Sequence, residues 1–174
     1  MTLEEAKKIY KKNNCSLFVM AREDVDNYVL YEKLNIDGSI EQKWRMEVIE
    51  ELVNLLEENG DGRIFNRLYD LSAGFHDKER LELMIKLIDK VRIEDVKTSL
   101  CIAETIMGRK VLSARSGMIF WAYDIGLTDE AVKLIQKVLS LINIQTDNEE
   151  DMTRVSRDRK KIKEIIDVLK LEYQ

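Results

Sequence analysis

Few residues of this chain have a type and a spacing that could support catalysis. His76 is the only histidine, and it follows Phe75 in a predicted turn. A single histidine cannot supply a zinc site or the paired Glu-x-x-His ligands of a di-iron bundle. Cys15 and Cys101 lie far from His76 in the sequence, so neither is predicted to be an activated nucleophile. We therefore predict no catalytic, cofactor-binding or metal-binding residue, and a protein that is not an enzyme.

A group of carboxylates between residues 47 and 58 is the other candidate for chemistry. Glu47, Glu50, Glu51, Glu57 and Glu58 resemble the paired carboxylates with which all-helical nucleotide pyrophosphatases hold magnesium. At 100° per residue, however, Glu47, Glu51 and Glu58 lie opposite the apolar face of their helix. A catalytic cluster would face the bundle interior, so we expect a solvated face. A magnesium-dependent all-α nucleotide hydrolase remains a third functional hypothesis.

Three basic residues form the predicted binding site. Arg109 and Lys110 precede Arg115, which falls among apolar neighbours of a predicted helix. A charge in such a position must be paired, reach solvent or line a concave surface. We predict that Arg109, Lys110 and Arg115 bind an acidic peptide segment of another protein. Pairing of Arg115 with Asp124 or Glu104 is the structural alternative.

The strongest basic cluster lies on the last predicted helix. No aromatic residue interleaves its bases, and four acidic residues between positions 147 and 151 precede it and offset its field. We expect a solvated helix that caps the fold, with contact to phosphates or a membrane surface as the alternative. The cluster consists of Arg154, Arg157, Arg159, Lys160, Lys161 and Lys163.

The elements that carry these residues are all predicted to be helices. The chain has no proline, and six of its seven glycines lie between helical stretches. Proline and glycine are the residues least tolerated inside helices, so their distribution predicts helices joined by short turns. We predict an all-α protein of eight or nine helices in a single domain, 1–174. Within it, acidic helices occupy 1–74 and a tighter core of helix pairs occupies 77–174.

Local signals predict where several helices begin and end. Thr2 with Glu5 forms a capping box for a helix that runs to about Lys12, and Ser39 with Gln42 forms another. A stretch from Leu17 to Leu34 is interrupted near Asp24. Apolar residues surround the predicted helix 110–125, which is expected to be the most buried, with Gly117 allowing a close helix approach. Thr128 is predicted to cap a helix to about Ile142. Trp44, Trp121, Tyr28 and Tyr31 are predicted core or near-core anchors, and an exposed interface anchor is the alternative for Tyr31.

Residues 122–139 resemble the second half of a tetratricopeptide repeat. In that family a tyrosine-containing helix ends in glycine, and an acidic turn then leads to a packed alanine. The matching residues here are Gly126, Ala131, Ile135, Val138 and Leu139. In the preceding half, the family's tryptophan falls on Arg115 and its glycine is displaced to Gly117. Predicted helix starts near 78, 93, 110 and 128 give offsets close to the ~34-residue repeat. The resemblance implies stacked antiparallel helix pairs; armadillo or HEAT pairs, or an irregular multi-helix bundle, are the alternatives.

Charge and composition limit the functional class. The net charge is −5, and residues 1–60 carry 13 acidic against 8 basic side chains, which disfavours nucleic acid as a partner. No apolar run approaches the ~20 residues of a membrane span, and the two cysteines are expected to be reduced thiols of a cytoplasmic protein. We predict a non-enzymatic protein-binding module of helical-repeat type. A small acidic neutralising protein, similar to immunity proteins or antitoxins, is the alternative.

Overall fold

The computed structural model describes residues 1–72, 78–108 and 117–170. Helices make up 79% of these residues and none of them lies in a strand, which confirms the all-α class. The described part contains ten helices, where eight or nine were predicted, because Asp24 separates two of them. The helices are α1 (Leu3–Lys12), α2 (Leu17–Glu23), α3 (Val25–Glu32), α4 (Gly38–Asn59), α5 (Gly62–Ser72), α6 (Lys78–Ile88), α7 (Val96–Met107), α8 (Met118–Asp124), α9 (Thr128–Ile142) and α10 (Glu149–Leu169).

The chain forms two compact units. Unit 1 comprises Met1–Leu55 and unit 2 comprises Leu56–Gln174, so the division falls inside α4. The sequence placed its own subdivision later, between residues 74 and 77. The predicted single domain stays a prediction.

The start of unit 1 follows its local sequence signals. The Glu5 amide donates to Thr2 Oγ1 at 3.2 Å, and the Thr2 amide donates to Glu5 Oε2 at 2.7 Å, which confirms the capping box. Ser16 caps α2 by accepting from the Val19 amide at 3.3 Å. The second predicted capping box is wrong: α4 begins at Gly38, and the Ser39 amide donates to Asp37 Oδ1.

Aromatic side chains form the interior of unit 1. The ring of Tyr10 stacks on that of Tyr31, with centroids 5.9 Å apart, and lies 6.0 Å from that of Trp44. Tyr10 accepts a hydrogen bond from the Arg45 guanidinium, and Tyr31 donates one to Glu41 Oε1 at 2.9 Å. Trp44 and Tyr31 are therefore core residues as predicted, whereas Tyr28 is half-buried and its hydroxyl donates to Glu32. Burial is the main reason that the pKa values of both tyrosines are raised.

Helix α7 is the central helix of unit 2. The Asp95 carboxylate caps it by accepting from the Thr98 amide at 2.6 Å, and α5, α8, α9 and α10 all pack against it. In a solenoid each repeat contacts only its neighbours, and α10 lies beyond the pair that follows α7, so the packing of α10 on α7 favours the irregular bundle over a simple stack of pairs. The tetratricopeptide resemblance nevertheless stays a prediction. Of its matching residues, Ala131, Ile135 and Val138 are buried in α9.

The predicted continuous helix 110–125 is wrong at Gly117. This residue is extended, with φ −99° and ψ 166°, and α8 begins after it at Met118. Gly117 does allow the close approach predicted for it, because its Cα lies against the backbone of residues 106–108 at the end of α7. All five residues from Met118 to Ala122 are buried, including Trp121. Residues 117–122 are thus buried, while Tyr123 and Asp124 at the end of the same stretch are exposed.

The last two helices differ from their predictions at two positions: the cap of α9, and the end of α10, which was predicted near Glu172 and lies at Leu169. Helix α9 spans Thr128–Ile142 as predicted, but Leu127 is its N-terminal cap residue and Thr128 is its first helical residue. Helix α10 is capped by Asn148, whose side chain accepts from the Asp151 amide at 3.1 Å.

Candidate functional site

The predicted binding residues Arg109, Lys110 and Arg115 lie outside the described residues. The residues on either side of them are described: Gly108 ends α7 with φ 87°, and Gly117 precedes α8. A Cβ atom built on Gly117 would lie 2.5 Å from the Gly108 nitrogen, so the two glycines are in contact. The chain therefore leaves and re-enters the described part of unit 2 at one place, beside the end of α7.

An ionic cluster between α7 and α10 lies at the C-terminal end of α7, next to Gly108. Arg154 Nη2 lies 3.2 Å from Glu104 Oε1, and Arg157 forms a second ion pair with the same carboxylate. Lys161 Nζ donates to the Gly108 carbonyl, at the negative end of the α7 dipole. Within the described residues, Glu104 is thus paired with two arginines of α10.

Asp158 is the buried member of this cluster. Its side chain is 1% exposed and accepts from Arg157 Nε at 3.3 Å, while its Oδ2 has no hydrogen-bond partner among the described residues. Burial, and then the charge of Glu104, raises the pKa of Asp158. Burial lowers the pKa of Lys161. Both pKa shifts arise because burial removes water from the charged side chain. The contacts of the cluster join α7 to α10, which is a structural role.

The bases of α10 thus divide into two groups. Arg154, Arg157 and Lys161 bind groups of α7, as a capping helix would. Arg159 is exposed and lines two shallow cavities of ≈ 510 and ≈ 650 Å³ beside the connection from α9 to α10. The larger is bounded by Leu139, Ser140, Ile142, Asn143 and Arg159, and the other by residues 144–147, Met152, Val155, Ser156 and Arg159.

The most exposed apolar surface of unit 1 lies on α2 and α3. We call it the α2–α3 surface and define it as Leu17, Phe18, Val25, Val29, Leu30 and Leu34. Phe18 is 73% exposed and Val25 is 55% exposed. Six of the twelve large apolar side chains that are exposed in the described part belong to this stretch of 18 residues. A concentration of this kind marks a binding surface more often than scattered single residues do.

One buried side chain in each helix fixes which faces of α2 and α3 are exposed to solvent. Met20 is the buried residue of α2, and Tyr31 is the buried residue of α3. At 100° per residue, Val25 and Val29 point well away from Tyr31, so the packing of Tyr31 turns them towards solvent. Asp24 joins the two helices and accepts from Asn27 Nδ2 at 2.9 Å and from Asn13 Nδ2 at 3.3 Å. These bonds, with that of Asn27 the larger, lower the pKa of Asp24.

Acidic side chains border this surface. Asp26, Glu23 and Glu32 are exposed on α2 and α3. Glu23 forms an ion pair with Arg22, whose guanidinium lies 5.8 Å from the centre of the Phe18 ring. In the described part neither Asp26 nor Glu32 forms an ion pair. The sequence shows this apolar stretch but gives no signal that it is uncovered, so we did not predict it as a site.

The carboxylates of α4 lie on a solvated face, as predicted. Glu47 Oε2 lies 2.8 Å from Lys7 Nζ and 3.2 Å from Lys11 Nζ, and Glu51 also binds Lys11. These ion pairs, with that of Lys7 first, lower the pKa of Glu47. Lysine ammonium groups of α1 are thus the partners of Glu47 and Glu51.

The remaining candidates for chemistry are distributed as follows. His76 lies outside the described residues; Cys15 is buried in unit 1; and Cys101 is half-buried on α7, where it accepts from Asn66 Nδ2 at 2.9 Å. Over residues 1–72, 78–108 and 117–170, no group of three or more histidine, cysteine or acidic side chains could hold a metal ion. Within the same ranges no helix combines the length and apolarity needed to cross a bilayer.

Comparison with protein-family models, with curated proteins and with solved structures finds no match to this chain.

Proposed function

We propose that this protein is a non-enzymatic module that binds another protein through the α2–α3 surface. The observation that supports the proposal is the exposure of six large apolar side chains within residues 17–34. Burying one such side chain contributes about 1.5–3 kcal/mol, so leaving several in water is unfavourable unless a partner covers them. Phe18, the most exposed of them, would be the central anchor of the interface.

Capture from native lysate tests this function. The double variant Phe18→Ser/Val29→Ser removes apolar area while leaving the buried anchors Met20 and Tyr31 unchanged. We expect it to lose a protein that the wild type retains, as identified by mass spectrometry. Ile93→Ser/Val168→Ser is the matched control, because it removes two exposed apolar side chains from unit 2. Equal capture by all three proteins would refute the proposal.

The basic residues Arg109, Lys110 and Arg115 belong to the same proposal as a second contact, for an acidic segment of the partner. Their support is the sequence together with the position of their neighbours Gly108 and Gly117. Both glycines lie beside the ionic cluster of α7 and α10.

A small acidic neutralising protein is the second candidate. It is favoured by the acidic border of the α2–α3 surface, where Asp26 and Glu32 form no ion pair within the described ranges. Such a protein would mask a basic surface of a toxin-like partner. Its binding would weaken steeply as salt is added, because exposed charges would supply most of the affinity.

A further inference from the structure

We infer that the α2–α3 surface receives an amphipathic helix whose apolar face is flanked by lysine or arginine. This inference rests on the proposed function and adds the chemistry of the partner. The carrying observation is the combination of uncovered apolar side chains with an acidic border on the same two helices.

The dimensions of the surface fit a short helix. Helix α2 has 7 residues and α3 has 8. At ~1.5 Å per residue each is about 10–12 Å long, which is about two turns. Apolar anchors spaced at i, i+4 and i+7 on a partner helix span the same length. On α3, Val25 and Val29 are four residues apart and form one apolar row along the helix, with Asp26 and Glu32 on either side of it.

The acidic side chains of residues 17–34 determine which residues should flank the apolar face of the partner helix. Residues 17–34 contain four acidic side chains, Glu23, Asp24, Asp26 and Glu32, against two basic ones, Arg22 and Lys33. Asp24 is satisfied by two asparagines, and Glu23 by Arg22. Glu32 accepts a hydrogen bond from the Tyr28 hydroxyl, but within the described residues no basic side chain pairs with Glu32 or Asp26. Lysine or arginine beside the apolar anchors would meet them at the rim of the interface, where charge sets partner choice.

The same charges disfavour three other occupants. A second copy of this chain would bring a surface with the same acidic excess against this one in a two-fold interface. An anionic membrane would repel them, although Phe18 and its neighbours could enter an apolar phase. An acidic peptide would be repelled as well. A basic amphipathic helix satisfies both the apolar centre and the acidic border.

A pair of synthetic peptides tests the inference. Both are helical and carry leucine at i, i+4 and i+7; one is flanked by lysine and the other by glutamate. We expect the full-length protein to bind the lysine peptide in a fluorescence-anisotropy titration, and the glutamate peptide at least about tenfold more weakly. The lysine peptide should also displace the partner captured from lysate. Equal binding of the two peptides would overturn the inference.

Matched charge reversals locate the site. Asp26→Lys/Glu32→Lys should weaken binding of the lysine peptide about tenfold, since two attractions at the rim become repulsions. Glu57→Lys/Glu58→Lys makes the same change of net charge at the exposed end of α4 and should leave binding within about twofold. Equal loss in both variants would show attraction to the whole acidic protein and would overturn the site. Melting curves check that each variant is folded.

Other outcomes separate this inference from the function on which it rests. If capture from lysate depends on Phe18 while the lysine peptide neither binds nor competes, the protein-binding function stands and the partner class is wrong. Concentration-dependent dimerisation that Phe18→Ser/Val29→Ser abolishes would assign the surface to a second copy. Binding to phosphatidylserine vesicles that depends on Phe18 would assign it to a membrane. Either result overturns the inference.

Discussion

Trp121 is the largest side chain in the buried run of α8 and is 3% exposed. Replacing it with alanine removes packing from the interior of unit 2, so we expect Trp121→Ala to lower the free energy of unfolding by ~3–5 kcal/mol. Urea denaturation measures the loss. Tyr123→Ala is the control on the same helix, because Tyr123 is 39% exposed, and it should cost less than about 1 kcal/mol. A loss below about 1 kcal/mol for Trp121→Ala would place the core elsewhere.

Asp158 makes a prediction about pH. Its pKa is raised mainly by burial, so the folded protein favours the protonated carboxyl. Stability is therefore lowered above the folded pKa, and this penalty disappears as the pH falls through that value and below the unfolded one. We expect Asp158→Asn to unfold at higher urea than the wild type at neutral pH, with the difference shrinking in acid.

Asp167→Asn is the control for this pH dependence. Asp167 is exposed on the same helix, so its substitution should leave the urea midpoint unchanged at every pH. If Asp158→Asn instead destabilises the protein at neutral pH, the contact of Asp158 with Arg157 outweighs the burial of its charge.

At the scale of elements, Gly117 controls how the end of α7 meets the start of α8. A Cβ on Gly117 would lie 2.5 Å from the Gly108 nitrogen and 2.6 Å from the Ile106 carbonyl oxygen, and backbone atoms cannot move aside as side chains do. We expect Gly117→Ala to lower the free energy of unfolding by about 1–3 kcal/mol. Gly38→Ala, where a Cβ meets nothing within 4 Å, should cost nothing. Equal melting temperatures for the two variants would contradict this close contact.

The helices that the sequence located well have a strong local signal. Helix α1 begins where Thr2 and Glu5 cap each other, and apolar periodicity located α9, although its cap is Leu127 and not Thr128. Gly117 was misassigned because periodicity cannot distinguish a glycine inside a helix from one between two helices. The position of Gly117 between two helices is explained only by its contact with Ile106 and Gly108, which is a tertiary contact that the local sequence does not show.

The candidate site was less predictable than the fold. Val25 and Val29 are visible in the sequence as apolar residues one helical turn apart, but periodicity shows which residues share a face and not whether another element covers it. Their exposure follows from the stacking of Tyr31 on Tyr10, a contact between residues 21 positions apart. The pairing of Arg154 with Glu104 likewise joins residues that no local pattern relates.

For the whole molecule, salt dependence separates the two functional candidates. Burial of the apolar α2–α3 surface is little affected by moderate salt, whereas attraction between exposed charges is screened. We expect the affinity for the captured partner to fall about tenfold or less between ~0.05 and ~0.5 M salt. Surface plasmon resonance at several salt concentrations measures it. A fall of more than about 100-fold would favour the acidic neutralising protein.

The basic residues outside the described ranges provide the last test. If Arg109, Lys110 and Arg115 bind an acidic segment of the partner, Arg115→Glu should abolish capture while the melting temperature changes little. The control is Arg63→Glu, because Arg63 is exposed and contacts only its neighbour Asp61 among the described residues. Unfolding of Arg115→Glu would identify Arg115 as one half of a structural ion pair. Capture that survives the reversal would leave the α2–α3 surface as the whole of the interface.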